Sequence, residues 1–323
     1  MILNSEMILK RLESIDDPLF FTRENKNFYD IVYMLSYIAF DKDLFKRSVD
    51  LIIRFAVSER EGENYNSTRS VLYKLFHAYL SFTHAPLTNR LEIISDLLND
   101  ADYNKKMLGV RLIDEVLEYG HFVGSPIFDC GSQIRDYGLE PNLSDWYKEG
   151  INYCKKLLAE DICYEEVKDI IANNFRNLAS IGFYNELEDL VDSELGKRSW
   201  PAIWISLLAI KRFDSEKVPP KLMKRMDLLL EKVRPLSIPD KIKVFFAKGK
   251  RIYINVDDTT EKEKEINDKL YNLGKDIALD KNHIKDYILQ LDDTCALYRI
   301  SFFAKGLYDN FDSKEELIYI LLD

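Results

Sequence analysis

Apolar residues recur at spacings of three and four along almost the whole chain, and this rhythm constrains the fold more than any other feature. From Phe28 to Phe40, Ile31, Val32, Leu35, Ile38 and Ala39 mark one face of a helix. Asp41 stands where an N-cap is wanted, and Leu44, Phe45, Val49, Ile52, Ile53 and Ala56 predict the next helix. After a hydrophilic loop at 59–66, Asn66 or Ser67 is placed to cap a helix carrying Val71, Leu72, Leu75, Phe76 and Tyr79. Pro86 closes the following turn, and two further helices come after it, through Leu98 and through Leu117. The rhythm resumes near Trp146 and runs to the end, with Gly196 at a helix C-terminus and Pro201 at a helix start. Helix breakers are scarce for 323 residues, with 12 Gly and 9 Pro. The expectation is an all-α chain.

Taken in pairs, these segments predict an α-solenoid of about seven antiparallel helix pairs, HEAT-like or tetratricopeptide-like with degenerate repeats. Residues 1–160 and 161–323 are then two stretches of one continuous solenoid. The alternating, β-branched run at 251–256 is the exception, and reads as a short strand or an extended connector. A second interruption is longer. Between about residues 120 and 143 the chain loses its period and becomes rich in Gly, Pro, Asp and aromatics. Loops of that length are uncommon in compact domains. Phe122, Ile127, Phe128, Ile134 and Tyr137 give this one apolar anchors, so it is expected to be ordered.

Catalytic patterns are mostly absent. Gly196-Lys197-Arg198-Ser199 resembles the tail of a phosphate-binding loop, but Val191 stands where the first glycine belongs. The chain has four histidines and no pair of them with its neighbours at metal-ligand spacing. His77 and His84 flank a helix end, where packing roles are expected. His121 and Cys130 share the central loop, and a Cys/His nucleophile there is the enzymatic alternative. Against it stands the simpler reading, in which Arg135 and Asp136 pin the loop by hydrogen bonds and Tyr137 packs on a neighbouring helix. Cys130, Cys154, Cys163 and Cys295 form no CxxC pair and read as reduced thiols. The chain is expected to be no enzyme and to need no cofactor or metal.

Net charge is −10, which argues against coating nucleic acid or an anionic membrane with the whole surface. The charge is uneven, however. From Lys211 to Arg251 there are 13 Lys or Arg against 5 Asp or Glu, a local net of +8. Lys221, Lys224 and Arg225 cluster on one helix of this block, and Lys243, Lys248, Lys250 and Arg251 on or just after the next. Such a run is ordinarily a solvated face; as a groove it would take nucleic acid or an acidic protein. Phe245, Phe246 and Tyr253 would then serve for base stacking, although their helical spacing fits a core stripe more simply. The first residues carry charge early and have no long apolar core, so no signal peptide is read there, and no membrane span is expected anywhere. The last segment, ELIYILLD, stops inside an amphipathic helix, which suggests a piece of a longer protein.

Two blocks carry a family resemblance. One is YMLSYIAFDKDLFKRSVDLIIRFAVSE (33–59) with KLFHAYLSFTHAPLTNRLEIISDLL (74–98). The other is LGVRLIDEVLEYGHF (108–122) with GSQIRDYGLEPNLSDWYKEGINYC (131–154), of which RDYGLEPNLSDW is the most distinctive run. They resemble the helical-repeat region that follows the nucleotide-binding core in large bacterial STAND-type NTPases, several of them implicated in antiphage defence. The resemblance implies a cytoplasmic sensor or scaffold that recognises a protein trigger and restrains the rest of a larger polypeptide. It supplies no catalytic residue. On this reading the contact residues are Phe122, Arg135, Asp136, Tyr137 and Trp146, with the basic helices second. Trp146 also fits a core anchor. A general protein–protein scaffold and a nucleic-acid-binding helical repeat are the alternatives.

Overall fold

Amphipathic segments with few breakers form helices only when their apolar faces meet, and here they do. A computed structural model describes residues 2–59, 67–120, 136–246, 259–291 and 299–322. Among these the chain forms sixteen α-helices, two short 3-10 turns and no strand. The all-α expectation holds. The strand read at 251–256 lies outside the described residues. The contacts divide the chain into two compact units, residues 1–183 and 184–323.

The first unit contains α1 (Ile2–Glu13), α2 (Phe28–Ile38), α3 (Phe45–Ser58), α4 (Thr68–Lys74), α5 (Leu87–Leu98), α6 (Tyr103–Leu117), α7 (Leu143–Ala159) and α8 (Tyr164–Ser180). Helix α3 lies at its centre and touches α1, α2, α4, α5 and α6. It can do so because its sequence is apolar on more than one side: Phe45, Val49, Ile52, Phe55 and Ala56 are all fully or almost fully buried. Neighbours in sequence also pack together, α5 on α6 and α7 on α8, and α8 reaches α6 as well. That last contact keeps residues 164–180 with the first unit.

Helix boundaries differ from the periodicity in two places, at the start of α3 and the end of α4, and agree with it at the start of α4. Asp41 does not cap α3: its side chain accepts from the Asp43 amide at 2.9 Å, and the helix begins at Phe45. Ser67 is the cap of α4, its hydroxyl accepting from the Ser70 amide at 3.4 Å. Glu59 closes the same helix start, accepting from Ser67 Oγ at 3.0 Å and from the Thr68 and Arg69 amides. Buried carboxylates are retained where they satisfy such orphan amides. Helix α4 then stops at Lys74, although apolar spacing continues to Tyr79.

The second unit contains α9 (Tyr184–Leu195), α10 (Pro201–Phe213), α11 (Pro220–Lys232), α12 (Ile238–Phe245), α13 (Thr259–Leu279), α14 (Ile284–Ile288), α15 (Ile300–Asn310) and α16 (Lys314–Leu322). Pro201 occupies the first turn of α10, where its missing amide costs nothing. Gly196 comes directly after α9 but without the left-handed φ that a glycine cap commonly supplies. The core is built from Ile205 on α10, Ile242 and Phe245 on α12, Leu270, Leu273 and Ile277 on α13, and Phe303 and Leu307 on α15. Helices α13 and α15 approach closely through glycines. A Cβ at Gly274 would lie 2.1 Å from the Phe303 carbonyl oxygen, and one at Gly306 would lie 2.0 Å from that of Tyr271. No helix among the described residues is long and apolar enough to cross a membrane.

Candidate functional site

The described end of the 120–143 loop lands on the turns that follow α4, joined to them by backbone hydrogen bonds. After Lys74 the backbone passes through successive tight turns, and Leu80 and Phe82 adopt φ of 53° and 54°. Left-handed φ in bulky residues is strained and persists only where the surroundings fix it. Arg90, projecting from α5, supplies much of that fixing. Its guanidinium donates to the carbonyls of His77 at 2.6 Å and Ala85 at 3.0 Å, and to Ser81 Oγ at 3.2 Å. The Trp146 ring covers it at 4.8 Å. Arg90 is fully buried, and burial pushes its pKa down from the ordinary arginine value. A guanidinium stays protonated even so. It is therefore a buried cation held by neutral acceptors and an aromatic face, a use for which arginine is better suited than lysine.

Two further bonds tie the turn to α2: Thr83 Oγ1 donates to the Ala39 carbonyl at 2.6 Å, and the His84 amide to that of Phe40 at 3.0 Å. Onto this platform residues 136–139 are docked by backbone pairing. The Phe82 amide donates to the Tyr137 carbonyl at 2.9 Å, and the Leu139 amide to that of Thr83 at 2.8 Å. Asp136 Oδ1 accepts from the Gly138 amide at 2.9 Å, an Asx turn that brings the chain over Thr83. Gly138 has φ +91°, and a Cβ there would stand 2.4 Å from the Thr83 nitrogen. Only glycine fits this crossing.

Side chains presented by the joint form a mixed aromatic and polar surface. His84 Nε2 faces Asp136 Oδ1 at 3.1 Å, and its ring meets Phe40 edge-on at 4.8 Å. Tyr137 packs beside Phe82, ring centroids 5.9 Å apart, and remains 41% exposed. Tyr79, at the other end of the turn, is 42% exposed. Of the residues expected as contacts, Asp136 and Tyr137 sit here, and Phe122 and Arg135 lie outside the described residues. Trp146 is placed differently. It is 3% exposed, and its Nε1 donates to the Val116 carbonyl at 2.9 Å, so it supports the platform from beneath. The anchor reading of Trp146 fits this geometry.

Sequence reasoning missed Arg90, Phe82 and Thr83, and gave His84 only a packing role. It also missed a second polar cluster at α6, where His77 Nε2 lies 2.7 Å from Glu115 Oε2 and Arg111 bridges Glu115 at 2.7 Å and Asp114 at 2.5 Å. Asn174 of α8 donates to Asp114 at 2.8 Å. Burial, with Asp114 and Glu115 nearby, raises the pKa of Glu118. Cys154 is fully buried, and burial pushes its thiol up to about 12, so it stays protonated and inert near neutral pH. The His121 and Cys130 pairing lies outside the described residues. Among those described, no group of three or more His, Cys, Asp or Glu is placed to hold a metal ion.

Much of the basic block is engaged locally in the second unit. Arg225 pairs with Glu188 and donates to Asn185 at 2.9 Å, Lys232 pairs with Asp192 at 2.8 Å, and Lys211 with Asp227 at 2.7 Å. Lys221, Lys224 and Lys243 are exposed, and no carboxylate partner is seen for them among the described residues. Lys248, Lys250, Arg251 and Tyr253 lie outside those residues. Phe245 and Phe246 are 6% and 0% exposed. They belong to the core, so base stacking on them is not open. The chain matches no known family model, no characterised protein and no solved structure.

Proposed function

We propose that the chain is a non-enzymatic helical recognition module, a HEAT-like solenoid that binds a protein partner through the surface formed by residues 136–139 and 82–84. We assign it to the sensor part of a larger bacterial STAND-type NTPase of antiphage defence, acting in the cytoplasm. The observation that carries the reading is the cost of the joint: two left-handed bulky residues, a buried arginine and an obligatory glycine hold Tyr137, His84 and Asp136 in one place. Strain of this kind collects at binding and switch sites. A tyrosine flanked by an exposed histidine–aspartate contact offers the aromatic anchor and polar rim typical of protein contacts.

A photo-cross-linking residue at position 137 tests the contact, with the complete natural polypeptide expressed during phage challenge. The expected result is a discrete cross-linked protein that disappears in the His84→Ala, Asp136→Ala variant, together with loss of protection. Full protection by a folded Tyr137→Ala, His84→Ala, Asp136→Ala variant overturns the surface assignment. The family assignment has its own test: an NTPase core encoded in the same reading frame supports it, and a frame without one removes it. The nucleic-acid alternative is weaker here, because Phe245 and Phe246, the described aromatics of those expected to stack on bases, are buried in the core. Salt-dependent binding abolished by Lys221→Glu and Lys224→Glu would restore it.

A further inference from the structure

The second unit holds a half-open pocket of about 200 Å³ between α10, the α11–α12 connection, α12 and α13. Its apolar wall is made by Trp204, Phe245 and Leu273, and its rim by Arg234, Lys241 and Lys269. Phe245 and Leu273 are core residues, whereas Trp204 is only partly buried and keeps part of its indole in the cavity wall. Three cations and one carboxylate, Asp276, line the concavity, and each cation is offset by a nearby carboxylate. Lys241 pairs with Asp276 at 3.0 Å, Lys269 with Glu265 at 2.7 Å, and Arg234 with Glu231 at a loose 3.8 Å. Exposed pairs of this kind contribute little and exchange readily. An incoming anion would take over the same donors with charge-assisted hydrogen bonds, for which the planar guanidinium of Arg234 is well shaped.

The size of the pocket selects among anions. It is smaller than the roughly 300–1,000 Å³ of sites for drug-sized ligands, so it suits one ring system with the charged group at the mouth. We propose that this pocket binds a nucleoside monophosphate, its base against Trp204 and its phosphate between Arg234, Lys241 and Lys269. Every lining residue belongs to the second unit, so the proposal stands independently of the partner surface on the first.

The chain has three tryptophans, and Trp146 and Trp200 are 3% and 1% exposed. Trp204 is thus the natural reporter. The full chain is titrated with AMP, GMP, CMP and UMP, by fluorescence and by calorimetry, with adenosine and inorganic phosphate as comparisons. At least one monophosphate is expected to quench saturably, the quench vanishing in Trp204→Phe. Arg234→Ala, at an exposed position, should weaken binding by about tenfold or more without altering the melt, as loss of a hydrogen bond to a charged group does. Four outcomes overturn the proposal: no saturable binding of any monophosphate, equal affinity for adenosine, equal affinity for phosphate alone, or undiminished affinity in the folded Trp204→Phe, Arg234→Ala variant.

Discussion

A side chain at position 138 would have nowhere to go. Gly138 holds φ +91° with the Thr83 backbone 2.4 Å from where a Cβ would sit, so alanine must either undock residues 136–139 or distort the turn beneath them. The expected cost of Gly138→Ala is about 1–3 kcal/mol of stability. Its signature should be local: hydrogen exchange at the Phe82 and Leu139 amides, both bonded across the joint, should accelerate while α3 and α6 stay protected. Unchanged exchange at those two amides would mean that the joint is not held as described. The Asp136–Gly138 turn was within reach of sequence reasoning, since an Asp with Gly two residues on is a turn signal. Its partner was not, because 52 residues separate His84 from Asp136. Arg90 was hidden for a related reason. An arginine on an amphipathic helix reads as solvent-facing, and nothing local says that its head turns inward to meet three backbone and hydroxyl acceptors under a tryptophan.

At the scale of elements, the apolar period located the helices well and their ends poorly. Val32, Leu35, Ile38 and Ala39 are buried as their spacing implies, and so are Phe45, Val49 and Ile52. Helix α4 departs from the pattern: it stops at Lys74, and Arg90 donates to the carbonyls of His77 and Ala85 in the turns that follow, a contact from α5 that local spacing does not encode. The α13–α15 crossing was equally invisible, since neither Gly274 nor Gly306 announces that it faces another backbone. Both glycines serve one close approach, and this makes a specific prediction. Gly274→Ala and Gly306→Ala should each destabilise by about 1–3 kcal/mol, because the added methyl forces the helices apart. The double variant should lose clearly less than the sum, because helices separated by the first methyl already accommodate the second. Strict additivity in denaturant melts would show that the two positions act separately.

At the scale of the whole molecule, the division after Phe183 coincides with a finished helix end. Gly182 has φ +106°, its amide donates to the Ala179 carbonyl at 3.2 Å, and the Phe183 amide donates to that of Leu178 at 3.1 Å. This is the double-bonded glycine cap, which ends a helix without help from the next segment of chain. Phe183 itself turns back onto Tyr147, ring centroids 6.0 Å apart, and Tyr147 donates to the Glu118 carbonyl at 2.8 Å. The last residues of the first unit are therefore satisfied by the first unit, and its 183 residues are ample for an independent core. A chain ending at Phe183 is expected to be monomeric and helical, and to melt in one cooperative transition. It should also keep the Tyr137-dependent cross-link while losing the response to nucleoside monophosphates, whose pocket lies wholly in residues 184–323. An aggregated or non-cooperative fragment would make the two units one folding block. A fragment that still bound the nucleotide would move that site off Trp204, whatever its fold.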